Sequence, residues 1–226
     1  MNIYSNYILD FFLPRFCPGC NKKLSSEENA VCDSCLNGIL IADDERLKIE
    51  FDKDFSAAKV ITEFYSKYIF QAEATLQNII HALKYDRKFK LGIFLGQILG
   101  EALKKRNWPV DLILPVPIHH LRNAERGYNQ TDYIAKGLSS SLKIPYSTKL
   151  LKRTRHTESQ TKLNLSERAQ NVSNAFKVRN AKRLTGKNIL LVDDVCTTGA
   201  TLLECAIVLR KAGAGSIYVS SIAVAD

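Results

Sequence analysis

Strands alternating with helices along most of the chain predict an α/β protein on a doubly wound, mostly parallel sheet, with a small four-cysteine module at the N-terminus. Three observations carry this. Ile189-Leu-Leu-Val192 is a short unbroken apolar run, as suits a strand buried on both faces. Leu202, Leu203, Ala206, Ile207 and Leu209 follow at helical spacing. Cys17-Pro-Gly-Cys20 and Cys32-Asp-Ser-Cys35 pair two Cys-x-x-Cys knuckles across 11 residues.

Composition breaks divide the chain into residues 1–45, which hold four of the six cysteines and end in Asp43-Asp44-Glu45, and residues 46–226. Ile3, Tyr4, Tyr7, Ile8, Phe11 and Phe12 predict a short amphipathic helix packed on the body, with membrane contact as the weaker alternative. Asp10 and the lack of a basic start argue against a signal peptide. No apolar run is long enough to span a bilayer, so a cytoplasmic protein is expected. Past residue 45 the pattern predicts a strand near Ala57–Phe64 and helices near Gln71–Lys84 and Lys90–Lys105. A strand at Asp111–Leu114, a helix at Asn129–Leu142 with Asn129 as N-cap, and a strand at Tyr146–Leu151 follow. The last predicted elements are a strand at Asn188–Val192, a helix at Thr201–Ala212 and a strand at Ile217–Ala223.

The cysteine spacing suits a tetrahedral structural Zn²⁺ held by Cys17, Cys20, Cys32 and Cys35, with Gly19 easing the turn. Two disulfides, or iron in place of zinc, are the competing readings, and a reducing cytosol disfavours the disulfides. Cys196 and Cys205 read as small buried residues.

The run Ile189–Val192 leads into Asp193 and Asp194, then Thr197-Thr-Gly-Ala-Thr201 and a helix. Ligands of open α/β sheets bind beyond the carboxyl ends of the strands, and a helix N-terminus offers unpaired N–H groups to a phosphate. Two carboxylates about 5 Å apart at an effective dielectric of ~20 repel by roughly 3 kcal/mol, more than the ~0.3–2 kcal/mol a helix end returns. The acids therefore need vicinal hydroxyls, with or without Mg²⁺, and a phosphate near a diol describes ribose 5-phosphate. The alternative is an ordinary turn whose aspartates cap or face solvent. Neither Gly-x-x-x-x-Gly-Lys-Ser/Thr nor Gly-x-Gly-x-x-Gly occurs, which excludes the usual triphosphate and dinucleotide loops.

A second apolar run ends in Pro115-Val-Pro117, where the prolines stiffen the loop and leave the Val116 and Ile118 N–H groups for an anion. Arg122 and Arg126 add fork-shaped cations suited to pyrophosphate. Residues 111–187 carry fifteen Lys/Arg against five Asp/Glu, within a net charge of +9 for the chain. Arg153, Arg155, His156, Gln160 and Arg168 fall in a long polar connection that reads as a basic lid. Such a surface also attracts nucleic acid, and Tyr128, Tyr133 and Tyr146 could stack bases or simply pack the core. Lys84 reads either as a contact to an anionic ligand or as a lysine favoured by a helix end.

The acids and the Thr-Thr-Gly-Ala-Thr turn resemble the signature of type I phosphoribosyltransferases. Together with the cysteine pair, His81-Ala-Leu-Lys-Tyr85, Pro115-Val-Pro117, Arg126-Gly-Tyr-Asn-Gln130, Arg153-x-Arg155 with Ser159-Gln160, and Arg168-x-x-Asn171 with Ala175-Phe176, they resemble the ComF family, which includes GntX-like members. The resemblance implies a zinc finger fused to a type I phosphoribosyltransferase domain. It implies that Asp193 and Asp194 hold the ribose hydroxyls or Mg²⁺ and Thr197, Thr198, Gly199, Ala200 and Thr201 the 5-phosphate of phosphoribosyl pyrophosphate (PRPP). Val116, Pro117 and Arg126 would hold its pyrophosphate. It implies transfer to an unidentified acceptor in bacterial competence, or a non-catalytic role in sensing PRPP or engaging single-stranded DNA or competence proteins. Purine-salvage relatives often carry an acid in the phosphate loop; Thr197 stands there, a weak base, so an amine acceptor fits better than a purine.

Overall fold

The computed structural model describes residues 14–154 and 175–226. The predicted N-terminal helix, and Arg155, His156, Gln160 and Arg168 of the basic connection, lie outside them. Four strands, β1 (Glu63–Phe70), β2 (Leu112–Pro115), β5 (Ile189–Cys196) and β6 (Ile217–Ala225), form a parallel sheet in the order β1-β6-β5-β2. The central strand β6 is buried from Ile217 to Val224, and Ile189 to Val192 of β5 are fully buried. Outside β2, Tyr146 makes a single parallel bridge to Ile113.

Three strand predictions need correction. The stretch from Ala57 does not begin a strand: Ser56–Ala58 is a 3-10 turn ended by Lys59 at φ 50°, and this left-handed residue delays extension until Glu63. Tyr146–Leu151 is not continuous, because Leu151 turns away to start β3 (Leu151–Arg153), antiparallel to β4 (Phe176–Val178). The strand predicted to stop at Val192 runs on to Cys196, since Asp193, Val195 and Cys196 pair with Ser221, Ala223 and Val224 of β6. The pleat therefore sends Asp193 and Asp194 to opposite faces.

The helices are α1 (Asp33–Asn37), α2 (Asp44–Asp54), α3 (Thr75–Tyr85), α4 (Phe89–Leu103), α5 (His120–Arg126), α6 (Gln130–Leu142) and α7 (Ala200–Lys211). The acidic stretch read as a boundary is the start of α2: the Asp43 carboxylate accepts from Arg46 N at 2.8 Å, and Asp44 and Glu45 favour the positive helix end. A division at residue 45 thus falls within its first turn. Glycines set the approach of α4 and α6. A Cβ on Gly96 would lie 2.2 Å from Ile134 O, and one on Gly137 would lie 2.1 Å from Ile93 O. Only hydrogen fits between these backbones.

The cysteine module packs on the sheet edge and on α3. Ala42 N donates to Lys67 O (3.1 Å) and Ile69 N to Leu40 O (2.9 Å), so residues 40–42 line β1. Asn78 Nδ2 donates to Gly19 O at 3.3 Å, and a Cβ on Gly19 would meet Thr75 Cγ2 at 2.7 Å. The Arg46 guanidinium reaches Asp226 Oδ1 at 3.1 Å, tying α2 to the end of β6. Among the described residues, no helix is long and apolar enough to cross a membrane.

Candidate functional site

A cleft of about 370 Å³ opens at the carboxyl ends of β5 and β2, within the size range of small-ligand sites. It is lined by both acids, the Thr197–Thr201 turn, the Pro117 loop, Lys84 and three arginines. The apolar strands place the acids here, and the turn redirects the chain into α7. Gly199, at φ 63°, is the N-cap of α7, and no side chain caps that helix, so its first-turn N–H groups are left for a ligand. The phenyl ring of Phe55 covers the other side of Gly199, where a Cβ would meet Phe55 Cε1 at 2.5 Å.

The acids differ in their partners. Asp194 is buried on the α3 and α6 side, where its Oδ2 meets Lys84 Nζ at 3.2 Å and accepts from Gln130 Nε2 at 2.9 Å. Its Oδ1 accepts from Val195 N at 2.7 Å. Asp193 is half-buried towards Arg153 and Cys205, and its Oδ1 accepts from Asp194 N at 2.8 Å. Burial, reinforced by the charge of Asp194, pushes the Asp193 carboxyl well above the usual carboxylate range. Burial also opposes ionisation of Asp194, but the Lys84 charge, the Val195 N–H and the Gln130 amide outweigh it and hold that carboxyl below its ordinary value. One proton and one negative charge thus divide between the neighbours as a coupled pair.

The cations converge opposite. Arg126 Nη1 donates to Gln130 Oε1 at 3.1 Å, and its guanidinium lies 5.1 Å from the Tyr85 ring centre. Burial, and then the charge of Arg122, lower the Arg153 guanidinium from its usual value. Cations held close enough to repel make a seat for a polyanion. The Val116 N–H, expected to meet that anion, is instead donated to Val192 O at 2.9 Å because β2 pairs with β5 up to the loop. Pro117 and Ile118 line the cleft beyond it. Arg122 lines the cleft as expected, and Gln130 and Phe70 line it without a role read from sequence. The spacing of Gln130 four residues after Arg126 was a usable signal; for Phe70, at the end of β1, there was none.

Cys196 and Cys205 are buried, as expected, and burial raises both thiols far above their ordinary value, so they stay protonated. Tyr128 is buried against Phe89 and Tyr133 and donates to Leu83 O, which favours its core reading. His119 is the N-cap of α5, its Nδ1 accepting from Leu121 N at 3.3 Å.

The four module cysteines bring their sulfur atoms within 4.8 Å of one another, with Cys20 and Cys32 3.7 Å apart. A tetrahedral ion with bonds of about 2.3 Å needs sulfurs about 3.8 Å apart, so the cluster fits a metal site. Burial resists ionisation of Cys17, but the N–H groups of Cys32, Cys20 and Gly19 bring its thiol down to about 7, whereas burial and the neighbouring sulfurs raise the Cys35 thiol.

The phosphoribosyl transferase domain family matches residues 133–225, a stretch that holds the acids, the turn and α7. Competence protein F of Haemophilus influenzae is 38% identical over 154 residues, 66% of this chain and 67% of that protein. DNA utilization protein YhgH of Escherichia coli K12 is 34% identical over 64% of this chain and 65% of its own length. Competence protein ComFC of Streptococcus pneumoniae is 27% identical over 91% of this chain and 79% of that one. A solved structure of the allosteric regulatory enzyme of purine biosynthesis aligns with TM-score 0.42 and 18% identity over 61% of this chain and 29% of that one. With a phosphoribosyl transferase domain matched at its C-terminal part and competence protein F alike over two thirds of its length, the chain belongs to the competence protein F (ComF) family.

Proposed function

We propose that the chain binds PRPP in this cleft and transfers its phosphoribosyl group to an acceptor other than a purine, releasing pyrophosphate, within the cytoplasmic handling of DNA during competence. The observation that carries the reading is the convergence of two adjacent carboxylates, an uncapped helix N-terminus and three arginines on one cleft. Asp193 accepts from the ribose hydroxyls. The Thr197, Thr198, Gly199, Ala200 and Thr201 turn takes the 5-phosphate on the N-terminus of α7. Arg126, with Arg122 and Arg153, neutralises the pyrophosphate as the C1–O bond breaks, the acceptor lone pair forms the new bond to C1, and the proton the acceptor then loses passes to the departing pyrophosphate or to water. Mg²⁺ enters as part of the substrate, bound to the pyrophosphate. Thr197 cannot serve as a strong base, so the acceptor supplies its own nucleophile, as an amine does. The four module thiolates hold a structural Zn²⁺ that organises the fold and leaves no open position for chemistry.

Calorimetry with Mg²⁺-PRPP tests binding, and a pyrophosphate-release screen over amines, bases and nucleic-acid ends tests transfer. Binding lost in an Asp193→Ala, Asp194→Ala double variant is expected. Wild type that takes up no PRPP would end the reading, and release with adenine, guanine or hypoxanthine would overturn the argument from Thr197. PRPP binding without release across the panel would favour a second reading, a PRPP-sensing or single-stranded-DNA-binding competence factor. The observation behind this alternative is the concentration of basic residues around a loop without an acid. Its DNA binding should fall steeply with salt and respond to charge reversal at Arg153.

A further inference from the structure

We infer that Lys84 is the built-in counter-cation of Asp194, so that the ribose 5-phosphate half of the ligand is recognised without a divalent ion held by that acid. The inference rests on the PRPP-site reading above and specifies how that site is charged.

A carboxylate offers about four lone-pair positions. On Asp194, Oδ2 serves both Lys84 Nζ and Gln130 Nε2, and Oδ1 serves the Val195 N–H. Mg²⁺ requires near-octahedral oxygen ligands at about 2.0–2.1 Å and keeps several waters. An ion bonded to Asp194 would have to share its surroundings with an ammonium already 3.2 Å from Oδ2, which repels it. The Asp194 donor set therefore does not fit Mg²⁺ while Lys84 is in place. Asp193 accepts the Asp194 N–H on Oδ1, its carboxyl also interacts with that of Asp194, and it lines the cleft as the acid of the pair that meets the diol.

Lys84 is held from both ends. It sits in the last turn of α3, where the helix dipole favours a cation. The next residue, Tyr85, carries the Arg126 guanidinium on its ring, and Arg126 in turn fixes the Gln130 amide. That amide has one orientation that satisfies both partners: its oxygen accepts from Arg126 and its nitrogen donates to Asp194. The contacts close a ring through Lys84, Asp194, Gln130, Arg126 and Tyr85. Lys84 and Gln130 are thus positioning residues for the acid that stands beside Asp193.

The test titrates ribose 5-phosphate, which has no pyrophosphate to chelate a metal, into the full chain by calorimetry, once in EDTA and once in Mg²⁺. Wild type should bind equally in both, to within about twofold, whereas Lys84→Met should weaken about tenfold in EDTA and recover when Mg²⁺ fills the vacated position. Lys84→Arg should restore the indifference to metal. Wild type that needs Mg²⁺, or Lys84→Met that behaves as wild type, would overturn the inference. Silence of ribose 5-phosphate in both buffers while Mg²⁺-PRPP still binds would also overturn it and leave the PRPP reading standing. Silence of both ligands would remove the two together.

Discussion

The half-buried Asp132 and the buried Asp194 show how neighbours divide carboxylates into two kinds. Asp194 has an ammonium and an amide at hydrogen-bond distance and ionises readily. Asp132, in the first turn of α6, receives the Asn129 amide at 2.8 Å, yet burial raises its carboxyl to about 6. A folded-state value above the unfolded one, about 3.9, means that the folded chain holds the proton more tightly. The stability from this group is then complete below about pH 4 and is lost as pH rises through about 6. Asp132→Asn, which keeps an acceptor for Asn129 and cannot ionise, should be more stable than wild type at pH 7.5 by about 1–2 kcal/mol. Thermal unfolding across pH checks this: the two melting curves should converge near pH 4, and a gap independent of pH would contradict the assignment.

The clearest constraint at the scale of elements is the contact of α4 with α6. Alanine in place of glycine would normally favour a helix by about 1 kcal/mol. At Gly96 the added methyl would lie 2.2 Å from a backbone oxygen of α6, which cannot rotate away as a side chain tip can. Overpacking of about 1–3 kcal/mol or more should win. Gly96→Ala is expected to lower the urea midpoint. Gly38→Ala, whose Cβ would come no closer than 3.4 Å to Ser34 O, serves as the control and should change little. Equal stability of the Gly96 variant and wild type would show that the helices can separate without loss. The close contact also bears on the site, because α6 begins at Gln130 and any displacement of it moves the partner of Asp194.

Across the whole molecule, the cysteine module and the cleft meet opposite ends of one helix. Gly19 packs on Thr75 at the start of α3, and Lys84 in its last turn reaches Asp194. The module is therefore mechanically joined to the pocket through α3. Cys17→Ser with Cys20→Ser should remove about one Zn²⁺ per chain, since four thiolates fill one tetrahedral shell. It should also weaken PRPP binding by about threefold or more as α3 loses its N-terminal support. Metal analysis and calorimetry on the same sample read both effects. Full zinc retention would show that the ligands are others, and loss of zinc with unchanged PRPP affinity would show that α3 holds Lys84 without help.

The sequence by itself determined the α/β class, the parallel sheet, the four-cysteine cluster and the placement of the acids and the Thr197–Thr201 turn at one strand end. Each depends on local order: apolar runs, Cys-x-x-Cys spacing, and a strand, turn and helix contiguous in the chain. It could not find α2, whose apolar stripe is thin and whose start looked like an acidic linker, nor the end of β5, because ladder pairing with Ser221 and Ala223 carries that strand past its acids. It gave Lys84 two readings and Gln130 none. Only tertiary structure decided that these residues, 110 and 64 positions from Asp194 along the chain, share one of its oxygens. The Val116 N–H was lost to the ladder for the same reason: a backbone donor beside a neighbouring strand pairs with it before any ligand arrives.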